Sequence, residues 1–143
     1  MRNNTPAPQG SPVTASFDYA NGQYYKSPSI PKYDYPASAY GVMSWWDYGN
    51  WILYLAQRPV VANNFQAGVA DAAKFYLSER EEEDTAVLDE RGTRYILADY
   101  SLIYGKLASL TTWANEDLSS YMRMEDYGSQ YAVIPRERLF NTT

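Results

Sequence analysis

The sequence predicts an α/β (or α+β) fold, a compact helix-rich single domain around a small sheet, and three observations predict it. Short apolar runs with strand content alternate with longer stretches whose apolar residues recur at helical spacing. The chain has 143 residues, enough for one domain with a core and too few for two comfortable ones. Six of the eight prolines fall within residues 1–38, so regular elements are expected only after them. The single domain 1–143 thus divides into an irregular Pro- and Tyr-rich lead-in over 1–38 and a core over 39–143.

The first strand is expected in YGVMSWW, from Tyr40 onward. It runs into Asp47, a good N-cap for a helix through about Gln57, which Pro59 ends. VVAN is a short buried strand candidate. Asn64 can cap a second helix, in which Phe65, Val69, Ala72, Ala73 and Tyr76 form a stripe of 3.6 period. Asp84 is the expected cap of a third, TAVLDER, with Gly92 just past its end. The acidic run Glu79 to Asp84, interrupted by Arg80, reads as a solvated helix face or loop. TRYILADY follows as a strand, with Ile96 and Leu97 expected to be buried on both faces. SLIYGKLASLTTWANE is helical in pattern, and QYAVIPRER suggests one more strand. No internal repeat is visible.

Composition excludes several functions. A net charge of −5 with no basic stripe argues against nucleic acid, because phosphate binding needs clustered Lys and Arg. The absence of cysteine removes disulfides and thiolate metal ligands, and the absence of histidine removes the usual general base. No apolar run approaches the roughly 18 residues of a membrane span, and MRNNTPAPQG lacks a hydrophobic signal region. The chain as given is expected to be soluble. Its 15 tyrosines suit surfaces that bind through a rigid ring and a hydroxyl.

Two constellations could carry chemistry. Trp45 and Trp46 are adjacent, so one strand face or helix stripe cannot bury both. Core packing explains one of them, and surface cover would explain the other. Asp47 between them and Tyr48 is either a helix cap, a binding carboxylate or both. Two indole N–H donors and a carboxylate acceptor would fit a single hydroxyl group. The second constellation is Asp99, Leu102, Lys106 and Leu110, at i, i+3, i+7 and i+11 on one helical face. A Lys in an apolar stripe must be paired, or else snorkel from the stripe's edge. Asp47 or Asp99 is its nearest chemical candidate. Gly105 beside it suggests the close approach of another backbone.

WWDYG, residues 45–49, resembles the signature of the oligosaccharyltransferase catalytic subunits, the enzymes of asparagine-linked glycosylation. MRNNTP resembles the segment leading into their extracytoplasmic domain, and YGVMSWWDYGNWI looks like the archaeal form of the motif region. RPVVANNFQAG and RYILADY are similar to that family in order and spacing. Asp99, Leu102, Lys106 and Leu110 look like the family's second motif in a form with longer Asp-to-Lys spacing, with leucines where Met or Ile is common.

The resemblance implies that Trp45, Trp46 and Asp47 bind the Ser or Thr hydroxyl of an Asn-X-Ser/Thr acceptor peptide, with Tyr48 and Gly49 as motif support. It also implies that no catalytic residue and no metal ligand lies in this chain. The catalytic carboxylates, a Mg²⁺ or Mn²⁺ ion and the lipid-linked oligosaccharide would belong to a membrane-embedded half, with this domain on the extracytoplasmic side. The chain would then be an acceptor-recognition domain, inactive alone. Two other readings are an aromatic-rich carbohydrate-binding module, suggested by the aromatic content, and a small carboxylate-based glycosidase, for which no spacing speaks.

Overall fold

A computed structural model describes residues 40–56 and 58–142, so the expected lead-in over 1–38 lies outside the described residues. The first strand, β1 (Gly41–Ser44), is buried along its whole length. It pairs in parallel with β2 (Thr93–Leu97), register Gly41 with Thr93 and Ser44 with Leu97. On its other edge β1 meets the 59–61 segment: Val42 N–H donates to the Pro59 carbonyl (2.8 Å) and Val61 N–H to the Val42 carbonyl (2.9 Å). VVAN therefore supplies a single bridge, Val60 to Val42, and no full strand. A strand covered on both edges and both faces reads as a continuous apolar run, which explains GVM.

Alternation along β1 splits the interior into two clusters. Val42 faces a small one with Tyr40, Ile52, Leu53, Ala56 and Val60. Met43 and Trp45 face the main one, built on Val69, Ala72, Ala73, Phe75, Tyr76 and Leu77 and on Leu107 and Leu110. Between the parallel strands the chain makes the long crossover such pairing requires. It runs through α1 (Trp46–Trp51), which continues as a π-helical turn over Ile52–Ala56, then α2 (Val69–Leu77) and α3 (Glu81–Glu90). Beyond β2 come α4 (Ser101–Tyr104), α5 (Leu107–Ala114) and the antiparallel pair β3 (Met122–Asp126) and β4 (Tyr131–Pro135). Helix α5 packs on α2. The α/β, helix-rich reading holds, with two separate two-stranded sheets among the described residues.

Several local expectations are corrected. Asp47 is no cap: α1 starts at Trp46, and Asp47 sits in its first turn without a side-chain capping bond. Asn64 does not begin α2, which follows Gly68 in left-handed conformation (φ 68°). Asn64 instead accepts from Asn50 N–H (3.1 Å), tying that turn to α1, and Phe65 is 75% exposed outside the stripe. Helix α3 begins at Glu81, before Asp84, because four acidic side chains suit the positive end of a helix. Gly92 does follow its end with φ 56°. Strand β2 has its alternate residues exposed, Ile96 among them, so among the described residues one of its faces is left uncovered.

Candidate functional site

The site begins where β1 turns into α1. Trp45 keeps extended backbone (φ −64°, ψ 147°), so by strand alternation it follows Met43 into the main core, 2% exposed. Trp46 opens the helix and is half-buried against the same cluster, its ring 6.5 Å from that of Trp45. The adjacent tryptophans thus divide as expected, one inside and one covering. Gly49 has a packing reason. A Cβ there would lie 2.3 Å from the Ala62 carbonyl oxygen and 2.6 Å from the Asn63 Cα, so only glycine lets α1 seat on that turn. Asn63 holds the turn by accepting from Phe65 N–H (2.9 Å).

The second constellation arrives by a broken helix. The Ser101 carbonyl accepts from both Gly105 and Lys106 N–H (2.9 Å each), which ends α4 after one turn. Lys106 has non-helical backbone (φ −121°, ψ −5°) and stands at the boundary of α5. The single helical face expected for Asp99, Leu102, Lys106 and Leu110 is therefore not formed. Asp99 precedes α4, and its Oδ1 accepts from Ser101 N–H (2.6 Å), closing an Asx turn. Leu102 and Leu110 are core residues, 7% and 2% exposed, and anchor α4 and α5.

The break aims Lys106 at α1. Its Nζ lies 2.7 Å from Asp47 Oδ2, donates to Tyr48 Oη (3.1 Å) and sits 4.1 Å from the centre of the Tyr48 ring. Tyr48 Oη donates in turn to Asp99 Oδ2. Of the two candidate partners, Lys106 therefore pairs with Asp47, and Asp99 is reached through Tyr48. Burial works to lower the Lys106 pKa, but the bonds to Asp47 and Tyr48 outweigh it and the net direction is up. Hydrogen bonds from Ser101 and Tyr48 hold the Asp99 carboxyl below the usual range. Nearby, Tyr76 donates to the Leu97 carbonyl (2.8 Å), and burial pushes its phenol up.

Two covered side-chain atoms of this network have no hydrogen-bond partner, Ser101 Oγ and Asp47 Oδ1. Asp47 Oδ1 is covered and has no hydrogen-bond partner, although the Asp47 side chain as a whole is 35% exposed. A covered, unpaired carboxylate oxygen costs about 1–3 kcal/mol or more, which a suitable donor would recover. Chemically, this oxygen can accept one hydroxyl proton. Among the described residues no three His, Cys, Asp or Glu side chains converge as a metal site would need. The two carboxylates here are already engaged by Lys106, Tyr48 and Ser101, so this donor set does not fit a divalent ion. Sequence reasoning missed the bridging part of Tyr48, because spacing carries no sign of a contact across 58 residues.

Residues 1–103 match the family model described as the AglB core domain. The chain belongs to that family. Among relatives of the AglB core domain, dolichyl-phosphooligosaccharide-protein glycotransferase 3 of Archaeoglobus fulgidus is 35% identical over 144 residues, covering 94% of this chain and 16% of that protein. The chain spans only 11–16% of the length of the curated relatives it matches. A crystal structure of the Archaeoglobus fulgidus oligosaccharyltransferase, tethered through a disulfide to an acceptor peptide with the NVT sequon, superposes with a TM-score of 0.68 at 27% identity. That match covers 94% of this chain and 20% of the other. The C-terminal globular domain of an oligosaccharyltransferase from the same organism matches at 25% identity with a TM-score of 0.50, covering 87% of this chain and 98% of that domain. No helix among the described residues is long and apolar enough to cross a membrane.

Proposed function

We propose that this AglB core domain is the acceptor-recognition part of a lipid-linked oligosaccharide–protein glycosyltransferase, in which Trp45, Trp46 and Asp47 hold the Ser or Thr hydroxyl of an Asn-X-Ser/Thr peptide. The observation that carries this reading is the unpaired Asp47 Oδ1 in the turn directly after Trp45 and Trp46, with Oδ2 already held by Lys106. A hydroxyl enters from the exposed side of the carboxylate. The terminal torsion of Asp is soft, so a small rotation turns Oδ1 toward the donor. Family membership supplies the direction of the argument, because the relatives are named as glycotransferases and one related structure holds an acceptor peptide.

The bond-making step, the lipid-linked donor and the divalent metal, Mg²⁺ or Mn²⁺, lie in the portion of the full protein that this chain does not span. Here the domain binds and orients and does no covalent chemistry. The parent is membrane-bound, with this domain on the extracytoplasmic side. The test is Asp47→Ala in the full-length transferase. A hydrogen bond to a charged group contributes about 1.5–3 kcal/mol, so transfer to an Asn-X-Thr peptide should fall about 10- to 100-fold. The chain itself should still unfold cooperatively. Transfer at the wild-type rate would sink the hydroxyl-binding role.

A further inference from the structure

The geometry points to Tyr48 as a positioning residue that transmits the hold of Asp99 onto Lys106, and so keeps Asp47 Oδ1 unpaired. This rests on the acceptor reading above and adds a residue to it. A phenol carries one proton and accepts through its lone pairs, whereas an ammonium only donates. Lys106 therefore donates to Tyr48 Oη at 3.1 Å, and the single Tyr48 proton is left for Asp99 Oδ2. Asp99 is itself fixed by its Asx turn at Ser101. Order thus runs from the start of α4, through Asp99 and Tyr48, to the ammonium on Asp47.

The consequence concerns which oxygen Lys106 occupies. Its flexible stem and three donors would allow it to straddle both Asp47 oxygens. Two restraints oppose this: the Tyr48 hydroxyl takes one N–H, and the Tyr48 ring lies under the charge at 4.1 Å. With the ammonium held on Oδ2, Oδ1 has no partner, and the small rotation described above presents it to an incoming hydroxyl. Loss of the Tyr48 hydroxyl would free Lys106 to compete with the acceptor. That weakens binding more than turnover.

A double-mutant cycle tests this with Tyr48→Phe, which keeps the ring, and Asp99→Asn. In this chain, the Lys106 ammonium is titrated by NMR; among the described residues Asp47 and Tyr48 contact it, Asp99 acts on it by charge, and Tyr76 interacts with Asp99 and Tyr48. Each single variant should lower the Lys106 pKa, and Asp99→Asn should lower it by less once Tyr48 is Phe, the remainder being the direct charge of Asp99 on the ammonium. In the full-length transferase, each single variant should raise KM for an Asn-X-Thr peptide about 3- to 10-fold, as expected for one lost hydrogen bond, with kcat within about twofold. The double variant should be no worse. Additive effects in either measurement overturn the proposal, as does an unchanged KM in Tyr48→Phe when Asp47→Ala is impaired. Should Asp47→Ala also transfer like wild type, the acceptor reading is at fault, and the titration alone decides whether Tyr48 couples Asp99 to Lys106.

Discussion

Two polar networks in this domain are assembled from the same parts and closed differently. Each has one cation, two carboxylates and a tyrosine, with the cation over the ring. In the C-terminal network Arg138 meets Glu79 and Glu116 at 2.6 Å each and lies 4.5 Å from the Tyr121 ring centre, while Tyr121 Oη donates to Glu116 at 2.7 Å. One planar guanidinium serves both carboxylates, so the network closes on itself and clasps the start of α3, the end of α5 and the C-terminal turn. At Asp47 the cation is Lys106, a point charge that serves one carboxylate, while Tyr48 serves the other. Among the described residues no atom of the clasp is a covered orphan, whereas Asp47 Oδ1 is. The two networks thus differ in closure: the Arg138 clasp satisfies its members, and the Asp47 network leaves a carboxylate oxygen unpaired.

The sharpest way to break this comparison is to remove each cation and read stability and transfer together. Lys106→Met in the full-length transferase should reduce transfer about 10- to 100-fold, since it releases the carboxylate proposed to orient the acceptor. Its ion pair is partly exposed, so the cost in stability should stay near 1 kcal/mol. Arg138→Met should do the opposite. Two part-exposed ion pairs and a cation–π contact sum to about 1–3 kcal/mol. For a chain of this length that is a fall of about 3–10 °C in Tm. Transfer below the transition should be unchanged. Equal transfer losses in both variants would end the distinction.

A core substitution sharpens the same contrast from the other side. Leu110 was singled out in sequence beside Lys106, yet it is buried against α2. Leu110→Ala should cost about 2–5 kcal/mol through the cavity it leaves. Chemical denaturation of the isolated chain reads this directly. A loss below about 1 kcal/mol would place Leu110 outside the core. Leu102 and Leu110 anchor α4 and α5 in the core on either side of Lys106.

What the sequence disclosed follows the range of the interactions. Strand content in GVMS, TRYIL and YAVIP and the 69–77 stripe are local patterns, and each became an element. Helix boundaries were misjudged where a side chain suited to capping was taken up elsewhere: Asp47 by Lys106, and Asn64 by Asn50. At the site, the residue types at Trp45, Asp47 and Lys106 were legible, and Lys106 needed an acceptor on physical grounds. The break at Gly105–Lys106 was not, because a helical period counts straight through a glycine. The Arg138 clasp was invisible as well. It joins positions up to 59 residues apart, and nothing in spacing marks such a pair.

The smallest expected effect is in pH dependence, and it again separates the two cations. The folded pKa of Lys106 lies above its ordinary value. Its contribution to stability is therefore complete below about pH 10.4, the unfolded value, and is lost as pH rises through the folded one. Asp99 is shifted the other way. Its contribution is in place above about pH 3.9 and disappears as pH falls through its depressed value. Tyr76 and Tyr121, held up by burial, lose their own contributions in alkali, so the difference between variant and wild type is the quantity to read. The stability gap between wild type and Lys106→Met, measured by urea unfolding, should be constant from about pH 5 to 9 and narrow above about pH 10.4. The gap for Arg138→Met should remain flat over that alkaline range, because a guanidinium keeps its charge. A Lys106→Met gap that persists unchanged to pH values well beyond the ordinary lysine range would mean that the side chain stabilises by packing its stem. The ion pair to Asp47 would then hold geometry without adding stability.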